Sequence, residues 1–590
     1  MSAEHRSTTG DSSTRIQDLY STRGIIYTEH GNVIVNSDAL FLHKSAERDT
    51  EVSDNGDWRS LFRQGMRLMY GFWDPVDVLA AQEKFLAASE TGEPIPRIWL
   101  ARLKTQGYCS FPRDTAAARS IGQQELIAIE ANANHDDLDA SLVFGYACLE
   151  GIGREVDLVR AIVFLRRAAE KGDLVAMNCL GTLFDRGVNP SDALAWCIRS
   201  AEGGNYLAMT NLAGRYMSGE GVSPAPSRAA NWYKAAAIRG YAPAMSPLGN
   251  LYKDGKGIPR DLVSAAKWYQ RGADHGDSAA ITNLGWAYFK GEGVNLDHGK
   301  AVECFRQAIK MQDISAMRSL AALYADGDSL PRDYEMAFLL WSQAAELGDN
   351  FAMANLGIVY ERGLGREQNP MMAAFWYRRA AEAGNEEAAY KLAQFYVEGK
   401  GVEGNSAEAV RWYRRSADLG YGPAMSELAA AYYNGNGVSQ DKSAAYSWYQ
   451  NAADKGNWHA MNALGWRSQY GDGIEIDIQE ALNWYLRAAS AGSPQGMNSA
   501  GLIYWRYDNL PEAKSWFQKA ATSGDANGMC SLGIFYRYGI GTERNSVKAR
   551  EWLEKASKAG SNHARDLLKE ADPPGNFFDG IADIWKKLTQ

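Results

Sequence analysis

At 590 residues the chain exceeds what one hydrophobic core organises, so several domains or a repeat array are expected. Hydrophobic residues at 46% and charged residues at 23% exclude a disordered or fibrous protein. A formal charge of −9 at pH 7 argues against a nucleic-acid partner, whose phosphates need a cationic surface.

The first residues, MSAEHRSTTGDSSTR, are polar and hold no apolar h-region, so no secretory signal peptide is expected. Residues 1–57 read as a separate N-terminal segment with 1–20 disordered. Within it GIIYTEHGNVIVNSD alternates β-branched and polar residues around His30, Gly31 and Asn32, a hairpin signal. Residues 58–139 read as helical: LFRQGMRLMYGFW, VLAAQEKFLAASETGE and IPRIWLARLKTQGY are amphipathic, as one or two worn repeats forming a cap would be.

From residue 140 the chain repeats itself. Units start at Ala140, Ala176, Ala208, Ala244, Ala280, Ala316, Ala352, Ala388, Ala424, Ala460, Gly496 and Gly528, with a fragment at Ala564. The step is 36 residues except at 176→208 and 496→528, where it is 32. One glycine pair and one aromatic pair per unit account for the 58 Gly, 18 Trp and 30 Tyr. In the Ala244 unit, Met245, Leu248, Gly249 and Tyr252 share one face of a first helix, A. Gly255 and Gly257 end it, and Asp261 stands where it can cap a second helix, B. Ala265, Trp268, Tyr269 and Ala273 give helix B its packing face before Gly276. Neither short helix buries its apolar face alone, so stacking of successive units supplies the core. The two 32-residue units lose four residues from the A–B loop and keep both helices. The Ala280 unit departs most in helix B, with Cys304 and Phe305 for Trp–Tyr and Gln312 for the closing Gly.

The pattern A-x-x-x-L-G-x-x-Y-x-x-G-x-G-V, then D-x-x-x-A-x-x-W-Y-x-x-A-A-x-x-G, resembles the Sel1-like repeat family, a relative of tetratricopeptide repeats. The resemblance implies an all-α fold: a right-handed superhelical α/α solenoid of about twelve helix-turn-helix repeats over 140–571. Beyond it, residues 572–590 place Phe577, Phe578, Ile581, Ile584, Trp585 and Leu588 at helical spacing. They read as an amphipathic capping helix, with a docking element for a partner or membrane surface as the alternative.

The catalytic look-alikes dissolve on inspection. The G-x-G pairs follow helices rather than strands and recur in most units, so they are turns. Gly249, Gly255 and Lys256 resemble a P-loop with the wrong gap and no following Ser or Thr. Ser264 and Lys267 match the S-x-x-K of β-lactamase-like hydrolases, yet lie inside helix B with no S-D-N or K-T-G partner. The gaps between Cys109, Cys148, Cys179, Cys197, Cys304 and Cys530 fit neither a metal motif nor a disulfide ladder, and the eight histidines are scattered. No catalytic residue, cofactor or metal is expected. No stretch approaches the ~18 apolar residues of a membrane helix, and the terminal KKLTQ is no prenylation box, so a cytoplasmic protein is expected.

The resemblance further implies that helix A lines a concave groove where partners are held. Counting each leading Ala as zero, it puts offsets +2, +6, +9 and +10 in that groove. Those positions give Trp286, Phe289, Lys290, Arg318, Arg362, Tyr390, Tyr433, Trp466, Tyr470, Trp505, Arg506, Arg537 and Tyr538. Aromatic and Arg side chains dominate interface energetics. The expected function is a non-catalytic bacterial scaffold or adaptor that binds a protein or peptide in this groove. The alternatives are an immunity protein that neutralises a secreted bacterial toxin and, less favoured, a β-lactamase-like hydrolase.

Overall fold

In the computed structural model, residues 57–72, 76–106, 114–183 and 189–570 are described throughout, and 25–27 and 33–35 by their backbone. The expected disorder of 1–20, the thiol of Cys109 and the helix expected at 572–590 lie outside these residues. Ile25–Tyr27 pairs antiparallel with Val33–Val35, Ile26 opposite Ile34. All other regular structure among the described residues is helical, and the chain divides into two compact units, Met1–Ala316 and Met317–Gln590.

The first unit opens with the helices Trp58–Tyr70, Val78–Glu90, Pro94–Gln106 and Thr115–Asn134. Phe62, Phe85 and Trp99 interlock at their centre, with Phe62 edge-on to Trp99 at 5.8 Å. Arg102 is buried between the rings of Trp99 and Tyr146 and donates to Glu150 at 2.9 Å. This pair ties the Pro94–Gln106 helix to Leu138–Glu150, the first helix A of the array. Tyr70, Glu150 and Tyr146 raise the Arg102 pKa above its ordinary value against the cost of burial.

The Ala244 unit shows how sequence sets local form. Helix A runs through Met245–Asp254 and stops at Gly255, whose φ of 69° is left-handed. The Asp261 amide then bonds the Tyr252 carbonyl at 2.9 Å, which closes the loop. The Asp261 carboxylate accepts from the Ser264 amide at 3.0 Å and starts helix B, Leu262–Asp274. The same turn recurs in the second unit, where Asn405 closes on Tyr396 and Asp441 on Tyr432.

Packing between helices A and B rests on a glycine and a ring. A methyl group added to Gly249 would lie 2.4 Å from a carbon of Tyr269, and one added to Gly465 would lie 2.7 Å from Tyr485. In the irregular Ala280 unit Phe305 takes the tyrosine's place, fully buried, so helix B packs there as elsewhere. Apart from the helix Ile314–Asp326, at which the two bodies divide, helices A and B of each full unit pack as a hairpin and each B packs on the following A, in an all-α solenoid fold of tandem repeats. In the shortened unit of the second body, the helices Pro494–Arg506 and Leu510–Thr522 are joined by three residues, with Asp508 left-handed at φ 57°. In the first body's shortened unit, 184–188 are outside the described residues.

Candidate partner-binding face

The A helices carry every residue expected in the groove, and the structure separates those residues into three groups. The +2 position is a correction. It lies between successive A helices, facing the residue that begins the next one. In the first unit Thr282 donates to Asp313 at 3.3 Å. In the second, Arg318 donates to Asp349 at 3.5 Å and Asn462 to the Ser493 hydroxyl at 2.9 Å. The Tyr390 ring meets that of Tyr421, which stands in the same place, with centroids 5.3 Å apart and planes tilted 56°. Arg318 and Tyr390 are therefore rungs of the stack, where an open stripe was expected.

A second correction concerns Trp505 and Arg537, which serve the core, while Tyr538 and Tyr433 are half-buried. Trp505 is only 6% exposed, edge-on to Phe517 and Phe535. Arg537 is 3% exposed and donates to the Leu567 and Glu570 carbonyls, where the last described helix, Asn562–Lys569, leaves its end acceptors unmet within the helix. Tyr538 is half-buried beside it. Tyr433 is half-buried beneath the Arg467 guanidinium, 4.3 Å from its ring, and Arg467 also covers Tyr449 at 4.4 Å. Hydrogen bonds from Lys442 (2.6 Å) and from Tyr433 hold the Asp472 carboxyl below its ordinary range. Arg467, Lys442 and Asp472, at offsets outside those read, went unnoticed in the sequence.

The third group reaches the surface, its rings half-buried in the first unit and exposed in the second. In the first unit Trp286 and Phe289 are edge-on at 5.4 Å, and Phe289 stacks on His298. Lys290 lies 5.6 Å from the Trp286 ring, beside a cavity of about 200 Å³ that Lys253, Tyr269, Asn283 and Glu292 also line. In the second unit Arg362, Arg506, Trp466 and Tyr470 are exposed. Trp466 and Tyr470 are each 46% exposed on one helix, Trp458–Tyr470, with ring centroids 5.3 Å apart and planes tilted 44°. Gln469 lies between them in sequence and accepts from the Tyr485 hydroxyl at 3.1 Å.

Five of the cysteines are described, each a free thiol. Burial pushes Cys148, Cys179 and Cys197 up to about 11, which makes them poor nucleophiles. Among the described residues no three His, Cys, Asp or Glu side chains gather as a metal site, and no helix is long and apolar enough to cross a membrane.

The family model described as Sel1 repeat matches twelve times: at 143–173, at 176–205, eight times in succession over 207–493, at 506–525 and at 526–561. No curated protein matches the chain. Among solved structures, a protective antigen of uropathogenic Escherichia coli with the SLR fold is 30% identical. That match covers 77% of this chain and 99% of the antigen's, with a TM-score of 0.43. A Sel1 repeat protein of Oxalobacter formigenes is 29% identical over 51% of this chain and 89% of its own, also with a TM-score of 0.43. An immunity protein of Pseudomonas aeruginosa is 19% identical over 45% and 89% of the two chains, with a TM-score of 0.25. Twelve matched repeats across most of the sequence, and helices folded as those repeats require, make this chain a member of the Sel1 repeat family.

Proposed function

We propose that the protein is a non-catalytic adaptor that holds a partner protein in a groove lined by its A helices, with the contact centred on Trp466 and Tyr470. Sel1 repeat proteins generally mediate protein–protein interaction. The observation that carries the site is the pair of large rings left 46% exposed, where the two adjoining units place Ala430 and Leu502 at offset +6 and Asn434 and Arg506 at offset +10. An exposed aromatic pair costs solubility and contributes nothing to the core, whereas interfaces draw most of their energy from such side chains. Arg506 extends the surface on the next unit, and Arg362 stands at the same offset three units earlier. The buried thiols suit a reducing compartment, in keeping with a cytoplasmic protein.

The test is affinity capture from the native host by the full chain and by the double variant Trp466→Ala, Tyr470→Ala. Loss of one stoichiometric partner with an unchanged melting curve is the expected result. Equal recovery by the variant would remove these rings from the interface. A single secreted toxin as the captured partner would assign the immunity role within the same mode of binding.

A further inference from the structure

The A-helix face is closed over the first units of the array, and the chain itself closes it. In the helix Leu138–Glu150 ten successive residues, Asp139 to Cys148, are buried, and in Leu174–Thr182 seven, Val175 to Gly181. An A helix farther along the same body is more open. In Ser278–Lys290, Asn283 and Trp286 are part-exposed, whereas Val143 and Tyr146, at the same offsets in the Ala140 unit, are 1% and 7% exposed.

The cover is the helix Trp58–Tyr70. Arg59 pairs with Asp137 at 2.5 Å and Arg63 with Asp139 at 3.4 Å, both at the start of Leu138–Glu150. At the other end Tyr70 shares a buried cluster with Tyr146 and Cys179, and Gly71 lies against the ring of Tyr206, which opens the A helix Tyr206–Ser218. The covering helix is about 20 Å long, the span of three helices set about 10 Å apart. These contacts are not rungs of the stack. Rungs such as Arg318–Asp349 join residues 31 apart. Arg59 and Asp137 are 78 apart, and their bond bypasses the helices Pro94–Gln106 and Thr115–Asn134 altogether. Phe62 and Gly65 are spent inside the cap, on Phe85 and Trp99. Toward the array the helix turns Arg59 and Arg63, still 49% and 41% exposed, a tie that salt can reach.

We infer that the helix Trp58–Tyr70 is an autoinhibitory strap. It occupies the A-helix face of the Ala140, Ala176 and Ala208 units in place of a partner, and Arg59 and Arg63 hold it there. Exposed ion pairs are individually weak, so the tie can be undone without unfolding the units beneath. Release lengthens the partner face by three units and uncovers an apolar surface that includes Val143, Tyr146 and Cys179. The inhibitory role rests on the reading of the A-helix face as the partner site. Opening itself is read without a partner, so the two can fail separately.

Cys179, 5% exposed in the covered region, reports opening, and Cys530, 1% exposed in the second body, reports global unfolding. The full chain is treated with iodoacetamide, and the rate at each cysteine is followed by peptide mass spectrometry. The double variant Arg59→Glu, Arg63→Glu is expected to speed alkylation of Cys179 about tenfold, with Cys530 unchanged. Arg59→Lys with Arg63→Lys keeps both charges and stays close to the parent. In the parent, raising salt from about 0.05 to about 0.5 M speeds Cys179 severalfold and leaves Cys530 alone. Hydrogen exchange of the Leu174–Thr182 amides stays slow in the Glu variant, which separates release of the strap from fraying of the helix beneath it. Unchanged protection of Cys179 in the Glu variant would overturn the inference, since the pairs would then hold nothing. So would a joint rise of Cys179 and Cys530, or exchange of those amides in step with Cys179, because the strap would then be inseparable from the fold.

Discussion

A methyl group added to Gly357 would lie 2.5 Å from Cε1 of Tyr377, so the tyrosine ring is seated on bare helix backbone. The Tyr377 hydroxyl completes the contact by donating to Glu361 at 2.6 Å. Helix propensity favours alanine over glycine by about 1 kcal/mol, and overpacking costs about 1–3 kcal/mol. Sterics win here, and Gly357→Ala is expected to destabilise the second unit by about 1–2 kcal/mol in urea or thermal melts. The relief available is visible in sister units, where Ala393 and Ala429 stand at the same offset and Tyr413 and Tyr449 pack less deeply than Tyr377. An unchanged or raised midpoint would mean that Tyr377 is free to retreat as they do.

Gln312 sits at φ 60° in the turn where Gly276 has 75° and Gly348 has 92°. A left-handed residue with a Cβ costs roughly 1–2 kcal/mol, part of which glycine returns as unfolded-state entropy. Gln312→Gly is therefore expected to raise stability by roughly 0.5–1 kcal/mol. Equilibrium unfolding of the two proteins side by side decides it.

Asp173 caps the Leu174–Thr182 helix by accepting from the Ala176 amide at 2.7 Å, and burial pushes its carboxyl up to about 6 from 3.8. A raised folded-state pKa means the native protein holds the proton more tightly than the unfolded chain. The contribution of this group to stability is thus fully present below about pH 4 and lost as pH rises through about 6. Asp173→Asn keeps the capping oxygen, as Asn205 and Asn385 do in other units. The variant is expected to gain about 1–2 kcal/mol on its parent between pH 4 and 6, then hold that margin. A pH series of thermal melts shows it, and a margin independent of pH would place the cost elsewhere.

The two tryptophans at neighbouring A helices should behave as opposites. Trp505→Ala empties a site between Phe517 and Phe535 and is expected to cost about 3–5 kcal/mol. Trp466→Ala removes a half-exposed ring and should cost under about 1 kcal/mol. Paired melting and capture experiments on both variants distinguish a core residue from a contact residue.

The repeat was legible because its punctuation is physical: glycines that must turn, an Asp or Asn that must cap, and a ring that must find a space. The face was only half legible. Offset +2 looks outward on an isolated helix, but the following helix A covers it, and a single-helix projection holds no neighbour. Trp505 was misread because Phe517 of its own helix B and Phe535 of the next helix A close over +9 there, and a single-helix projection holds neither ring. Arg537 was misread because its acceptors are helix-end carbonyls, which have no sequence signature. Trp466 and Tyr470 stayed exposed because no neighbour covers +6 and +10 there.

The rungs between successive A helices also work as an address system for assembly. Tandem units of one length can be stacked out of order by a folding chain, since any helix B can meet any helix A. The rungs differ: Arg318 is matched to Asp349, Tyr390 to Tyr421 and Asn462 to Ser493. Skipping one unit would set Arg318 against Asn385 and Tyr390 against Asn457, trading an ion pair and a ring–ring contact for mismatches. Near-identical repeats thereby carry, at a single offset, the order in which they are to be joined.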